Sequence, residues 1–254
     1  RSRGLGDVYK RQIAYMKKLS QKEQVIQAMR NMGCFATLKR LYEVVDFSTW
    51  KTKTPHESIR RILQLNKEFF KIQPGLWALE SDRQNVLEKL NPYSSDNHSD
   101  ELFSHSYYQG LLTEIGSLRQ FSTFIPAQDQ NKLFLGHKLK DIASLSQIPA
   151  FTYERILRKA RTIDVIWFNS RRMPSHMYEV EHTTDIKNSL SKFYELQDFR
   201  IKFFIVAAPY RKIEFQDKIS ASIFQEIHDR VEFLSYERVA NLHSNLAQQQ
   251  KFAW

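Results

Sequence analysis

Asp164, Glu179 and Glu181 are the residues whose types and spacing point most directly to chemistry. Glu179 and Glu181 stand two apart, so on a β-strand they share one face while Val180 takes the other. If residues 163–168 and 176–182 pair as a hairpin, Asp164 lies beside that pair. Three carboxylates meeting in apolar surroundings repel one another and are poorly solvated. A hard divalent cation such as Mg²⁺, or Mn²⁺ in its place, resolves the conflict because it takes oxygen ligands and tolerates several waters. The alternative is a solvated edge on which the glutamates pair with Lys or Arg. The apolar Ile163-Asp164-Val165-Ile166-Trp167-Phe168 run, which buries its strand, favours the metal site.

The elements that must hold these groups follow from hydrophobic periodicity. From Tyr107 the pattern predicts a helix, an irregular stretch to about residue 150 and a short helix near 152–160. The strand at 163–168 and a polar turn through Arg171-Arg172-Met173-Pro174 lead into the strand at 176–182. An amphipathic helix over 185–198 (Ile186, Leu190, Phe193, Leu196) and a buried strand from Ile201 to Ala208 come next. A helix carrying Phe215, Ile219, Ile223 and Ile227, a strand at 231–235 and a last helix complete an α/β mixed-sheet domain over 107–248.

The N-terminal part reads differently. Ser20-Gln21-Lys22-Glu23 is a capping box, and Gly33 ends the helix that it opens. Thr37 caps a short second helix with Leu38, Leu41, Tyr42 and Val45. Thr54-Pro55-His56-Glu57 opens a third with a Thr cap, Pro at the first position and Glu at the third. Ile59, Ile62 and Leu63 are its buried face. Two strands around Pro74-Gly75 follow. Three helices and a β-hairpin make a winged helix-turn-helix over 13–82, and the polar, turn-rich stretch that follows predicts a linker over 83–106. The overall class is α+β.

Composition narrows the function. No run of eighteen apolar residues is present, and nothing reads as a secretory signal. The single Cys34 excludes a disulfide framework and any cysteine-rich zinc site, so a cytoplasmic protein without a membrane partner is expected. Only seven glycines occur and none forms a phosphate loop; His105, His176 and His182 lack zinc spacing. Cys34, at a helix end with no nearby His, is better explained by packing than by nucleophilic attack. Of the net charge of +10, +3 sits in residues 1–12, where Asp7-Val8-Tyr9-Lys10-Arg11-Gln12 resembles the translation of a transposase adaptor from sequencing libraries; Met16 is the expected native start. Residues 13–82 hold twelve Lys and Arg against seven Asp and Glu, whereas 83–254 hold twenty-two against twenty. The excess per residue lies in the smaller segment, as expected where a polyanion is met.

Two resemblances sharpen these expectations. Ile163-Asp164-Val165-Ile166-Trp167, the spacer and Tyr178-Glu179-Val180-Glu181-His182-Thr183-Thr184 resemble the D…(D/E)-x-K core of PD-(D/E)XK restriction-endonuclease-like proteins. The resemblance implies that Asp164 and Glu179 are metal carboxylates and that Glu181 stands where most members have lysine. Glu114, in Gly110-Leu111-Leu112-Thr113-Glu114, resembles the glutamate that some members supply from the first helix, and is equally readable as a solvated helix residue. For the absent lysine, Lys187 and Lys192 follow on the next helix, and Lys192 is the better placed to lie near a scissile phosphate. Residues 20–80 resemble the HARE group of winged helices on Phe35-Ala36-Thr37-Leu38, Lys53 through Leu63, and Phe69 through Leu79. That resemblance implies DNA binding or protein docking. In a recognition helix, Arg60, Arg61 and Gln64 would read bases, with Lys51, Lys53 and Lys71 on phosphates.

Together these imply a bacterial, metal-dependent DNA endonuclease of restriction type acting on double-stranded DNA, with a cognate methyltransferase and a homodimer as further expected partners. The alternative is a non-catalytic DNA- or protein-binding regulator that keeps the nuclease fold.

Overall fold

Ser20 starts the first helix by the reciprocal bonds its sequence predicts: its hydroxyl accepts from the Glu23 amide at 3.3 Å, and Glu23 Oε2 accepts from the Ser20 amide at 2.8 Å. The computed structural model describes residues 19–90 and 97–250, with side-chain detail for 19–90 and 103–246. The adaptor-like segment and Met16 lie outside the described residues. The chain splits into two compact units, one built on residues up to Leu87 and the other on Glu88–Leu246.

In the N-terminal unit α1 (Gln21–Asn31) is followed by β1 (Phe35–Thr37), α2 (Leu38–Val44), α3 (Pro55–Leu65), β2 (Phe69–Gln73) and β3 (Leu76–Leu79). The strands form an antiparallel sheet in the order β1-β3-β2. The left-handed backbone that ends α1 extends past Gly33 (φ 88°) to Cys34 (φ 71°), and Cys34 packs against the core, as its position predicts. Val25, Met29, Leu41, Tyr42, Ile59 and Leu63 fill the centre, and Ile62 packs against them from a half-buried position. Thr54 departs from expectation: α3 begins at Pro55, but the Thr54 side chain makes no capping bond. Its backbone (φ −126°, ψ 68°) is not the extended form that aims an N-cap hydroxyl at the first turn.

Helix occupies both ends of the stretch over 83–106, as α4 (Arg83–Leu90) and the start of α5 (Asn97–Leu118), and the boundary between the two units falls within it, after Leu87. Beyond α5 come β4 (Ser122–Phe124), the small hairpin β5 (Leu133–Phe134) and β6 (His137–Lys138), α6 (Leu139–Ile142), α7 (Glu154–Ala160), β7 (Val165–Phe168), β8 (Pro174–Glu181), α8 (Ile186–Tyr194), β9 (Lys202–Ala207), α9 (Lys212–Ile219), β10 (Val231–Ser235) and α10 (Tyr236–Gln250). The helix expected to run through Phe215 and Ile227 is two pieces: α9 stops at Ile219, and Ser222–Arg230 is a 3₁₀ stretch. Among the described residues no helix is long and apolar enough to cross a membrane.

The main sheet runs β10-β9-β8-β7-β4, with β4, β7 and β8 antiparallel neighbours and β8, β9 and β10 parallel. This α+β unit with its mixed sheet is consistent with a PD-(D/E)XK-like fold. The parallel step from β8 to β9 is made through α8, whose Ile186, Leu190 and Phe193 pack on Ile166, Met177, Phe203 and Ile205. On the other face the Trp167 indole donates to the Leu112 carbonyl of α5 at 3.1 Å.

Close approach of α5 depends on glycine. A Cβ on Gly110 would sit 2.1 Å from the Phe134 ring, and one on Gly116 would sit 2.7 Å from Trp167 Nε1. Gly110→Ala is therefore expected to lower the unfolding free energy in urea by about 1–3 kcal/mol, the cost of overpacking. In an open helix the same change gains about 1 kcal/mol, so a measured gain would show that the Phe134 ring yields freely.

Candidate functional site

The β7–β8 register assembles the predicted carboxylates. Val165 pairs with Tyr178, so Asp164, one residue earlier, comes opposite Glu179. The Val180 amide donates to Asp164 Oδ2 at 2.8 Å, which fixes the aspartate across the end of the strand pair. Glu179 and Glu181 share a strand face with Met177, whose side chain packs under α8. All three carboxylates are buried, and all line one cavity of about 400 Å³ with His105, Lys132, His182, the 183–185 turn, Asn188, Ser189 and Lys192.

From α8, Ser189 and Lys192 are one turn apart and face the same way. Lys192 Nζ donates to Glu179 Oε2 at 2.7 Å and to the Thr162 carbonyl at 3.1 Å. The Ser189 hydroxyl lies 3.0 Å from Glu179 Oε2 and also hydrogen-bonds Glu181 Oε1, while Thr184 donates to Glu181 Oε2. The other Glu179 oxygen, Oε1, is buried without a hydrogen-bond partner. Lys187 is exposed and is not among the residues lining the cavity.

A second group of donors completes the site, and sequence reasoning missed it. His105 Nε2 lies 3.1 Å from Asp164 Oδ2. Gln109, one turn further along α5, donates to the Asp164 carbonyl at 3.2 Å and to Asp129 Oδ2 at 2.7 Å. Lys132 pairs with the other Asp129 oxygen at 2.6 Å. The donor atoms of His105, Asp129 and Asp164 all lie within 4.8 Å of one another, a cluster able to coordinate a divalent metal.

Glu114 is not brought to this cavity. Nine residues beyond His105 is about 180° around an α-helix, so Glu114 leaves α5 on the opposite side, where its Oε2 lies 2.5 Å from His243 Nε2. The recognisable signal in α5 was instead the i, i+4 pair His105 and Gln109.

Burial and mutual proximity move the carboxyls of the site in opposite directions. Burial alone would push the Asp164 carboxyl up, but His105, the Val180 amide and Lys192 outweigh it and hold it below the usual carboxylate range. Glu179 lies well above that range, first through burial and then through the charge of Asp164, which Lys192 does not cancel. Burial also raises Glu181, against the Ser189 and Thr184 hydroxyls. Lys192, which burial would lower, is raised by Glu179, Asp164 and Glu181 and keeps its charge. Asp129, Asp164, Glu179 and Glu181 thus face Lys132, Lys192 and His105, and the His105 imidazole, which burial alone would lower, is raised by Asp164. The His105–Asp129–Asp164 donor set fits a divalent cation in principle, and Glu179 and Glu181 are not members of that cluster.

In the N-terminal unit Arg61, Gln64, Lys51, Lys53 and Lys71 are exposed. Arg60 is not a free side chain, as a base reader would be: its Nε donates to the Tyr42 hydroxyl at 2.7 Å, because it flanks the buried Ile59 and reaches across to α2.

Comparison with known proteins places residues 86–253 on the model of the type II restriction enzyme NmeDI C-terminal domain. The chain is 23% identical over 150 residues to the type II restriction enzyme NmeDI of Neisseria meningitidis serogroup C, a match covering 55% of this chain and 42% of that enzyme. The chain thus spans less than half the length of this relative. No solved structure matches.

Adding Mn²⁺ to chelator-treated protein is expected to raise its melting temperature. At a hundred times the dissociation constant the gain is about 2.7 kcal/mol, or about 5–10 °C for a unit of this size. Asp164→Asn should abolish the shift and Glu114→Gln should leave it intact. Scanning fluorimetry that shows equal shifts in wild type and Asp164→Asn would exclude a cation at Asp164.

Proposed function

This chain belongs to the family of the type II restriction enzyme NmeDI C-terminal domain, and on that premise we propose that it is a metal-dependent DNA endonuclease whose site is built on Asp164, Glu179, Glu181 and Lys192. One observation carries the reading: a half-buried lysine from α8 pairs with Glu179, one of three buried carboxylates that β8 and the residue before β7 bring to a single cavity. Lys192 thereby supplies from a helix the positive charge that Glu181 displaces from the strand.

Asp164 and Glu179 would hold the cation, Mg²⁺ or Mn²⁺, with His105 and Asp129 beside them. When bound, such an ion lowers the pKa of a coordinated water and stabilises charge on phosphate oxygens. The chain's own groups do the rest. Lys192 draws on Glu179 Oε2, leaving the buried Oε1 without a hydrogen-bond partner, and its ammonium would offset charge developing on the phosphate. Glu181, oriented by the Ser189 and Thr184 hydroxyls, accepts a proton from the attacking water, a role suited to a carboxyl raised by burial.

The N-terminal unit, a helix–strand–helix–helix–strand–strand arrangement, is proposed to be a HARE-like winged helix that contacts duplex DNA. Arg61 and Gln64 on α3 are the groups free to read bases, and Lys51, Lys53 and Lys71 meet phosphates.

Purified protein is expected to nick or cut plasmid DNA with Mg²⁺ or Mn²⁺ and not with chelator. Asp164→Ala and Glu179→Ala should abolish cleavage while duplex binding persists. Lys192→Met should cost at least about tenfold in rate, or about 1.4 kcal/mol of barrier. Cleavage by Asp164→Ala at the wild-type rate would overturn the site; binding without cleavage by the wild type would instead favour a non-catalytic regulator. For the N-terminal unit, Arg61→Ala should reduce discrimination between specific and random duplexes by about 1–3 kcal/mol, and Lys71→Ala should weaken both and lower the salt slope by about 1. If neither affects any duplex, that unit does not read DNA.

A further inference from the structure

The rim of the cavity holds a buried clamp with large apolar side chains standing in water on either side. Arg211, whose side chain is 7% exposed, donates to the His182 carbonyl at 3.1 Å and to the Thr184 carbonyl at 2.7 Å. Glu214 grips the same guanidinium through both of its oxygens at 2.9 Å. This fork ties the beginning of α9 to residues 182–184, which line the cavity.

The neighbours of the clamp are in the opposite state. Tyr210 is 75% exposed and Ile213 is 78% exposed, with Lys212 exposed between them. Tyr210 lies in the 3₁₀ turn Pro209–Arg211 that leads directly into α9, where Ile213 is the second residue. Beside the same rim the Tyr236 hydroxyl donates to the Glu181 carbonyl at 3.1 Å. Tyr210 thus adjoins in sequence a residue that is clamped to the cavity rim, and its ring is left uncovered.

We propose that Tyr210, with Ile213 beside it, is a stacking platform for a nucleobase of the DNA strand that enters the cavity, with Lys212 on the adjacent phosphate. The proposal rests on the nuclease reading above. Every base offers a π-face, so stacking of this kind tolerates sequence: Tyr210 would position the strand rather than choose it. Arg211 sets where that happens, since the clamp ties the residue next to Tyr210 to the 182–184 rim.

The test uses the full-length chain, in EDTA so that no cleavage occurs, with short single-stranded and duplex oligonucleotides. Tyr210→Trp should show an emission change on oligonucleotide binding larger than that of the wild type, which carries four tryptophans. Tyr210→Ala should weaken oligonucleotide binding by about tenfold or more, and in Mg²⁺ should raise KM with little change in kcat. Tyr210→Phe should behave as wild type within about twofold, since stacking needs the ring and not the hydroxyl. Because Tyr210 is exposed, none of the three should move the urea midpoint. Oligonucleotide binding with unaltered Tyr210→Trp emission and wild-type affinity in Tyr210→Ala would overturn the platform and leave the nuclease reading standing. Failure of every variant and of the wild type to bind oligonucleotide would overturn both.

Discussion

The single bond from the Val180 amide to Asp164 Oδ2 is the constraint on which the candidate site depends. It joins the residue before β7 to the middle of the Glu179-Val180-Glu181 segment, so the strand that carries two carboxylates also anchors the third. The alternation of β8 then does two jobs. Val180 points to one sheet face while its neighbours turn their carboxylates to the other, under α8. Burying three acids this way is unfavourable unless positive charge is brought to them. Lys192 is that charge within the chain, and its reach to Glu179 and to the Thr162 carbonyl holds α8 against the strand ends.

What the sequence made legible here follows from how local each signal is. Asp164, Glu179, Glu181 and Lys192 lie on neighbouring elements with strong period-2 and helical patterns, so adjacency could be argued from spacing. His105 and Asp129 reach the same point from a helix and a loop 59 and 35 residues before Asp164, and no local period links them to it. Glu114 was attractive by analogy but sits on the wrong side of its helix, a fact visible only once His105 defines the right side. The short strand β4 went unread because three residues carry too little pattern to separate from a loop. The stretch over 83–106 looked like a linker because its polar composition outweighs a helical tendency supported by packing, as at Val86 and Leu90.

The N-terminal unit shows the limit of reading exposure from a helix pattern. Burial of Ile59 and Leu63 correctly sets the inner face of α3, yet a flanking arginine need not point to solvent. Arg60 bends back to the Tyr42 hydroxyl because that phenol, whose ring is fully buried, needs a polar partner at its tip. Arg61 and Gln64, further round the helix, stay free. The same logic runs through Arg211, whose donors are used within the unit so that the residues beside it remain outside.

The parallel pairing of β8 with β9 carries a consequence for synthesis. A chain growing from the ribosome has all three carboxylates once Glu181 has emerged, but β8 then has β7 alone of its two partners. Closing the parallel edge requires α8 and β9 to be made and folded back, a non-local step with a substantial entropic cost. The lysine that balances the carboxylates arrives with the same crossover. Until then the acids belong to an open strand edge in water, where each can be hydrated separately. Assembly of the charged cavity and completion of the sheet are therefore one event, and a nascent or truncated chain ending before Lys202 carries the residues of the site without its environment.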